Sequence, residues 1–319
     1  MRRDELPQLE VASYLRRIGR GAIGSRSLNR QESEKLFFAL YSGSLSEASI
    51  GALLMALRVK GETADELLGA LDALPNFIDK VPTLPDRPVI AIPSYNGARN
   101  LPNLTWLLAL LLARQGLQVI VHGMSTDHDE GKRRTRTEQI VNAYGSKPLV
   151  SSQDACAQFE QQLPVYVPLP LLSPALATLL ERRVELGVRN TAHSLVKMLN
   201  PSDRTDCLRV CSFTHPEFEQ LQHRVFELLK VPAIIMRGTE GEVVANVRRP
   251  SKIDLLNRGF ALTVVTEPSL KNFVPLNLPN RADCEATVQY MVEVLSGATS
   301  VPAALAAQIE AIVYAARLP

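Results

Sequence analysis

Apolar residues in the first quarter of the chain recur at helical spacing. Ile50, Leu53, Leu54 and Leu57 fall on one face, and consecutive helices are expected over residues 9–75. Two start signals are legible, Asn29 with Glu32 and Thr63 with Glu66, in which the first side chain accepts from orphan amides and the glutamate reaches back. Gly43 and Gly61 are the expected stops. From Pro75 the texture changes: Pro82, Pro85 and Pro88 make a semi-rigid connection, and short β-branched runs then alternate with helical ones. Residues 88–92 read as a buried strand, 104–114 as a helix and 118–121 as the next strand, a βαβ unit that implies a parallel sheet. Further strands are expected at 165–167, 208–210, 233–236 and 262–265, with a helix over 218–230. Residues 174–200 read as two inserted helices, the first capped by Ser173 with Pro174 at its first position.

The pattern predicts an α/β chain: a small all-helical N-terminal bundle over 1–78, and a larger α/β domain with a mostly parallel central sheet over 88–319. A length of 319 residues suits two cores. The 35 basic and 33 acidic residues give a formal charge of +2, so any basic face must be local. Cys156, Cys207, Cys211 and Cys284 show neither a paired metal spacing nor the density of a disulfide scaffold, and reduced thiols with no metal are expected. The absence of an uninterrupted apolar run of about 18 residues argues against a membrane span. A cytoplasmic protein without membrane partners is the expectation.

One stretch carries a resemblance. Gly187-Val188-Arg189-Asn190-Thr191-Ala192-His193, continuing to Asn200-Pro201, is similar to the Leu-Gly-x-Arg-Thr-x-x-Asn-x-Leu-Gly-Pro-Leu-x-Asn-Pro signature of anthranilate phosphoribosyltransferase. Where that family has the diphosphate loop Gly-Thr-Gly-Gly-Asp, this chain has Pro93-Ser94-Tyr95-Asn96-Gly97. Where it has Lys-His-Gly-Asn, Val121-His122-Gly123-Met124 keeps the central pair. Where its last two carboxylates hold magnesium, Val243 and Val244 follow Thr239-Glu240-Gly241-Glu242. Glu240 and Glu242 could supply carboxylates from a shifted register. Together with Ala98-Arg99, these motifs resemble the YbiB-like paralogues of the transferase. That resemblance implies a homodimer through the N-terminal helices, with residues 173–200 packed back on them. It also implies sequence-independent binding of DNA, or RNA, through backbone phosphates, without catalytic residues, cofactor or parent activity. An active glycosyl or phosphoribosyl transferase of unknown acceptor is the alternative.

The candidate phosphate contacts are basic. Lys132, Arg133, Arg134 and Arg136 stand in the loop where the enzymes hold ribose-diphosphate, beside Asp127, Asp129 and Glu130. Arg182, Arg183, Arg189 and Lys197 make a second stripe, although Arg182 and Arg183 also suit a helix C-terminus. By resemblance Arg189 faces an interdomain cleft as a buried anion contact. Arg248, Arg249 and Lys252 form a third cluster, and Arg16, Arg17, Arg20, Arg26 and Arg30 crowd the first helices. The expected residual cleft comprises Tyr95, Asn96, Gly97, His122, Gly123, Asn190, His193 and Glu240. Its histidines lack the spacing of a triad or metal site and read as hydrogen-bonded structural groups.

Overall fold

The computed structural model describes residues 8–124, 134–248, 252–265, 278–279 and 283–318. The chain divides into two compact units: one runs to Asp79 and includes Ser173–Leu199, and the other takes Lys80–Leu172 and the chain from Asn200.

The first unit is helical, with longer helices at Gln8–Ile18, Arg30–Tyr41, Glu47–Lys60 and Ala64–Ala73. Both predicted capping boxes form: Asn29 accepts from the Glu32 amide, Thr63 from the Glu66 amide, and each glutamate returns to the cap. Gly61, at φ 83°, ends Glu47–Lys60, and Ile50, Leu53, Leu54 and Leu57 of that helix are buried. Glu66 is itself buried, because Lys60 Nζ (2.7 Å) and the Leu28 amide (3.0 Å) satisfy its carboxylate. The insert forms three short helices, Pro174–Glu181, Arg183–Leu186 and Ala192–Leu195, where two were expected. Gly187 in the left-handed region breaks it after Leu186.

The second unit is built on strands β1 (Val89–Ser94), β2 (Gln118–Gly123), β3 (Val165–Pro168), β4 (Leu208–Phe213), β5 (Ala233–Thr239), β6 (Glu242–Ala245), β7 (Ile253–Asn257) and β8 (Phe260–Val265). Their order is β3-β2-β1-β4-β5-β7-β8, with β6 on β5. The run from β3 to β5 is parallel, and β6, β7 and β8 are antiparallel additions. Sequence reading missed β6 and β7, each only four or five residues long. The helix Thr105–Ala113 is apolar all round and buried, as a crossover on a parallel sheet should be. Val119, Val121, Leu107, Leu108, Ile234 and Ile312 belong to the same core.

The chain winds from β1 outward to β3, then returns to lay β4 on the other side of β1. In open α/β sheets, ligands bind at this switch point, beyond the C-terminal ends of the strands. Here β1 pairs along its full length with β2 but only at Ile90 and Ala91 with β4. Pro93, which has no amide to give, lies beyond the end of that short ladder. The C-terminal half of β1 therefore runs on past its ladder with β4.

Candidate functional site

The turn between β5 and β6 meets the loop that follows β1. Glu240 and Gly241 occupy the centre of a two-residue hairpin with φ of 52° and 95°, and Thr239 pairs with Glu242. Asn96 Nδ2 donates to Gly241 O at 2.6 Å, and Ser212 Oγ donates to the same oxygen at 3.2 Å. A side chain at position 241 would start 2.4 Å from Asn96 Nδ2, so the approach needs glycine.

Glu242 then turns its carboxylate onto the tip of β1. Oε1 accepts from the Asn96 amide at 2.7 Å and the Gly97 amide at 2.6 Å, and Oε2 from Ser94 Oγ at 2.5 Å. Thr105 Oγ1, 3.5 Å away, completes the ring of donors around a residue only 2 % exposed. Glu240 does the same for the next residues. Its carboxylate accepts from the amides of Arg99 (2.6 Å), Asn100 (3.0 Å) and Leu101 (3.4 Å), and from Asn100 Nδ2 (2.7 Å). Burial would raise the Glu240 carboxyl, but these donors outweigh it and hold the group below the ordinary glutamate value. Successive amides converging on one anion form the arrangement that binds phosphate elsewhere. Here the anions are the chain's own.

The carbonyls of the same loop are also taken. Thr135 bridges Ala98 through two backbone bonds, and its neighbours reach across: Arg134 Nη1 to Gly97 O at 3.1 Å, Arg136 Nη1 to Tyr95 O at 2.9 Å. Arg136 is 7 % exposed. This corrects the sequence reading, which set Arg136 among surface phosphate contacts; an extended segment alternates its faces, and residues 134 and 136 share the inward one. Lys132 and Arg133 lie outside the described residues, as do Asp127, Asp129 and Glu130.

Below the loop, Tyr95 Oη and His122 Nδ1 are 2.7 Å apart. His122 is 1 % exposed, and burial drives its pKa down to about 3. Gly123 must lack a side chain because a β-carbon would stand 2.4 Å from Ser94 O and 2.6 Å from Tyr166 Oη. The neutral state of His122 has a consequence for stability. Between its ordinary value of 6.5 and about 3, the unfolded chain takes up a proton that the folded chain refuses, so stability falls as pH drops through that window. From pH 7 to pH 5 this histidine should account for about 2 kcal/mol of lost stability. Urea unfolding at the two pH values should show the loss reduced by that amount in His122→Gln; an equal loss in both proteins would refute the assignment.

In the helical unit, Asn190 is 3 % exposed and structural: Nδ2 donates to Leu179 O at 2.7 Å and Oδ1 accepts from the Ala192 amide at 3.0 Å. His193 Nδ1 lies 3.3 Å from Asn190. Burial first, then the charges of Arg189, Arg183 and Lys197, pushes the His193 pKa to about 3. Arg189 is exposed, not buried as expected from the resemblance. Arg182 is held by Glu47 (2.7 Å) and Glu185 (2.9 Å), the bland reading of a helix-end arginine. Arg17 and Arg30 are likewise bound, to Glu32 and Asp72.

Of the third basic cluster, Arg249 lies outside the described residues. Lys252 bridges Glu219 (3.0 Å) and Asp254 (2.9 Å). With His223 these two carboxylates make a group that could ligate a metal ion, and the ammonium already sits between them.

Sequence reading offered both Glu240 and Glu242 as carboxylates from a shifted register but placed only Glu240 in the cleft. The available signal was an acid placed directly before the apolar run Val243-Val244-Ala245, where it is drawn into the core and must find donors.

Among the described residues no helix is long and apolar enough to cross a membrane. Residues 12–77 match the helical bundle domain of the glycosyl transferase family. The chain is 35 % identical over 303 residues to the uncharacterized protein YbiB of Escherichia coli (strain K12), covering 94 % of this chain and 92 % of that one. It is 28 % identical over 265 residues to anthranilate phosphoribosyltransferase 2 of Ralstonia nicotianae, covering 82 % and 74 %. The crystal structure of anthranilate phosphoribosyltransferase from Thermus thermophilus has the same fold, with a TM-score of 0.70 at 21 % identity over 96 % of this chain and 87 % of that one. The chain therefore belongs to the family of YbiB, on the glycosyltransferase family 3 scaffold that it shares with anthranilate phosphoribosyltransferase.

Proposed function

We propose that this protein has lost phosphoribosyl transfer and binds nucleic-acid backbones, DNA or RNA, without sequence preference. The observation that carries the first half is the filling of the amides of the loop after β1 by Glu242 and Glu240. A diphosphate would have to displace a buried carboxylate that already has four donors, two of them backbone amides at 2.6 and 2.7 Å. Nor do the residues present fit the magnesium that the resemblance implies. Val243 and Val244 stand where the acidic pair is expected and are 1 % and 3 % exposed, and the shifted carboxylates are committed to amides. No catalytic step follows from such a site.

For the second half, the support is three basic residues of one short stretch, Arg183, Arg189 and Lys197, whose charges all act on His193 and which belong to the unit that carries the family's helical bundle. Arginine suits a polyanion because its planar fork grips two oxygens and keeps its charge. The chain carries only nine phenylalanines, seven tyrosines and one tryptophan, and the largest buried side chains include Trp106, Tyr166 and Phe159. Backbone contact therefore outweighs base stacking as the grip. Association of two copies through the helical unit, where Ile23 is 94 % and Val59 72 % exposed, would double the basic surface.

Fluorescence anisotropy of a labelled random-sequence oligonucleotide tests the proposal. Affinity should fall by about 10³ between roughly 50 and 200 mM salt if about six phosphates are engaged. Absence of binding at low salt would overturn it in favour of the transferase alternative.

A further inference from the structure

A second concavity, of about 570 Å³, opens at the opposite end of the sheet from the filled loop, where β1, β4 and β5 begin. It lies wholly within the α/β unit. Its floor is apolar, from Val89, Leu208, Pro232 and Ala316, and its rim carries Lys230 and Arg258. Apolar and polar residues share the lining about equally, so a ligand seated here would need both an apolar part and a charged or polar one.

The two rim cations share an unusual backbone. Lys230, at the end of the helix Pro216–Leu229, has φ 55°, and Arg258, in the two-residue turn between β7 and β8, has φ 50°. Residues with a β-carbon rarely adopt this region, and glycine or asparagine would make either turn with less strain. Both positions nevertheless carry a long cationic side chain. Neither side chain has an ion-pair or hydrogen-bond partner among the described residues, and both are exposed. The neighbouring charges are otherwise engaged. Arg204 bonds Asp206 and Pro85 O (2.8 Å), Arg87 bonds Phe159 O (2.8 Å), and Glu227 faces Arg224 (3.5 Å). Asp86 also lines the hollow, which leaves two cations against one acid.

We propose that this hollow binds a phosphate monoester with an apolar or aromatic body, the class to which nucleoside monophosphates belong. Lys230 and Arg258 hold the dianion, and the floor takes the body. The site is built from the α/β unit alone and does not depend on the polymer-binding reading.

The test is calorimetric titration of the full chain with adenosine monophosphate, adenosine and inorganic phosphate. Lys230→Asn and Arg258→Asn remove each charge while keeping a residue that tolerates the left-handed backbone, so both should unfold at the wild-type midpoint. The monophosphate should bind more tightly than adenosine or phosphate, and each variant should weaken it by about tenfold or more. No binding of the monophosphate, equal binding of inorganic phosphate, or unchanged affinity in both variants would overturn the proposal. A 5′-phosphorylated dinucleotide that competes would support a strand terminus as the source of the ligand, and one that fails to compete would support a free nucleotide.

Discussion

Replacing Glu242 by alanine should destabilise the protein by about 3–5 kcal/mol, and a multivalent anion should restore part of that loss. The cost follows from the donors left behind. The amides of Asn96 and Gly97 and the hydroxyl of Ser94 converge on the carboxylate at 2.5 to 2.7 Å, in a place that is 2 % exposed. A buried donor stripped of its partner costs about 1–3 kcal/mol, and water entering the vacated space recovers some of the sum. Restoration follows because the same donors become an anion site once the carboxylate is gone. Pyrophosphate at about 100 times its dissociation constant would return about 2.7 kcal/mol, or about 5 °C in the unfolding midpoint of a chain of this size. Salting effects act on both proteins alike, so the diagnostic quantity is the difference between Glu242→Ala and wild type in the same anion. A variant as stable as wild type, or equal stabilisation of both by pyrophosphate, would show that the carboxylate does not fill the loop.

The triple reversal Arg183→Glu, Arg189→Glu and Lys197→Glu should abolish most nucleic-acid affinity. Each lost phosphate contact reduces the slope of log affinity against log salt by about 0.9, so three contacts remove close to 3 from it, and affinity near 100 mM salt should fall by about 10² or more. Arg182 is the matched control: its pairs with Glu47 and Glu185 leave it little to offer, and Arg182→Gln should change affinity by less than about threefold. His193 gives a second readout that loss of folding would not mimic. The three cations help to depress its pKa, so in the folded variant its resonance should titrate above about 3, while burial keeps it short of the ordinary value. An unaltered salt slope would take this group out of the nucleic-acid surface.

The elements legible in the sequence were those whose cause is local. Asn29 with Glu32 and Thr63 with Glu66 announce helices because cap and returning glutamate lie within one turn. Strands β1 and β2 announce themselves as apolar runs buried on both faces. The hairpin at Glu240-Gly241 was not legible, because β6 has only four residues and its partners on β1 are more than 140 residues away in sequence. The consecutive bases near Arg134 suggested a solvated phosphate surface. The bridge of Thr135 to Ala98 instead turns both neighbours onto loop carbonyls, a choice that only the fold can make. The motif comparison located the altered loop, and the altered residues alone said what was missing. That the loop is filled by carboxylates from the β5–β6 hairpin is a tertiary fact.

The most direct test of the account compares two ligands in one experiment, the unfolding midpoint of the wild-type protein with phosphoribosyl diphosphate plus magnesium and with a random-sequence oligonucleotide. A ligand that binds the native state raises the midpoint by an amount set by its concentration relative to its dissociation constant. With the amides of the loop after β1 committed to Glu242 and Glu240, phosphoribosyl diphosphate and magnesium should leave the midpoint unchanged, and the oligonucleotide should raise it at low salt and lose that effect at high salt. A magnesium-dependent rise with phosphoribosyl diphosphate, and none with the oligonucleotide, would contradict the account and restore the transferase reading.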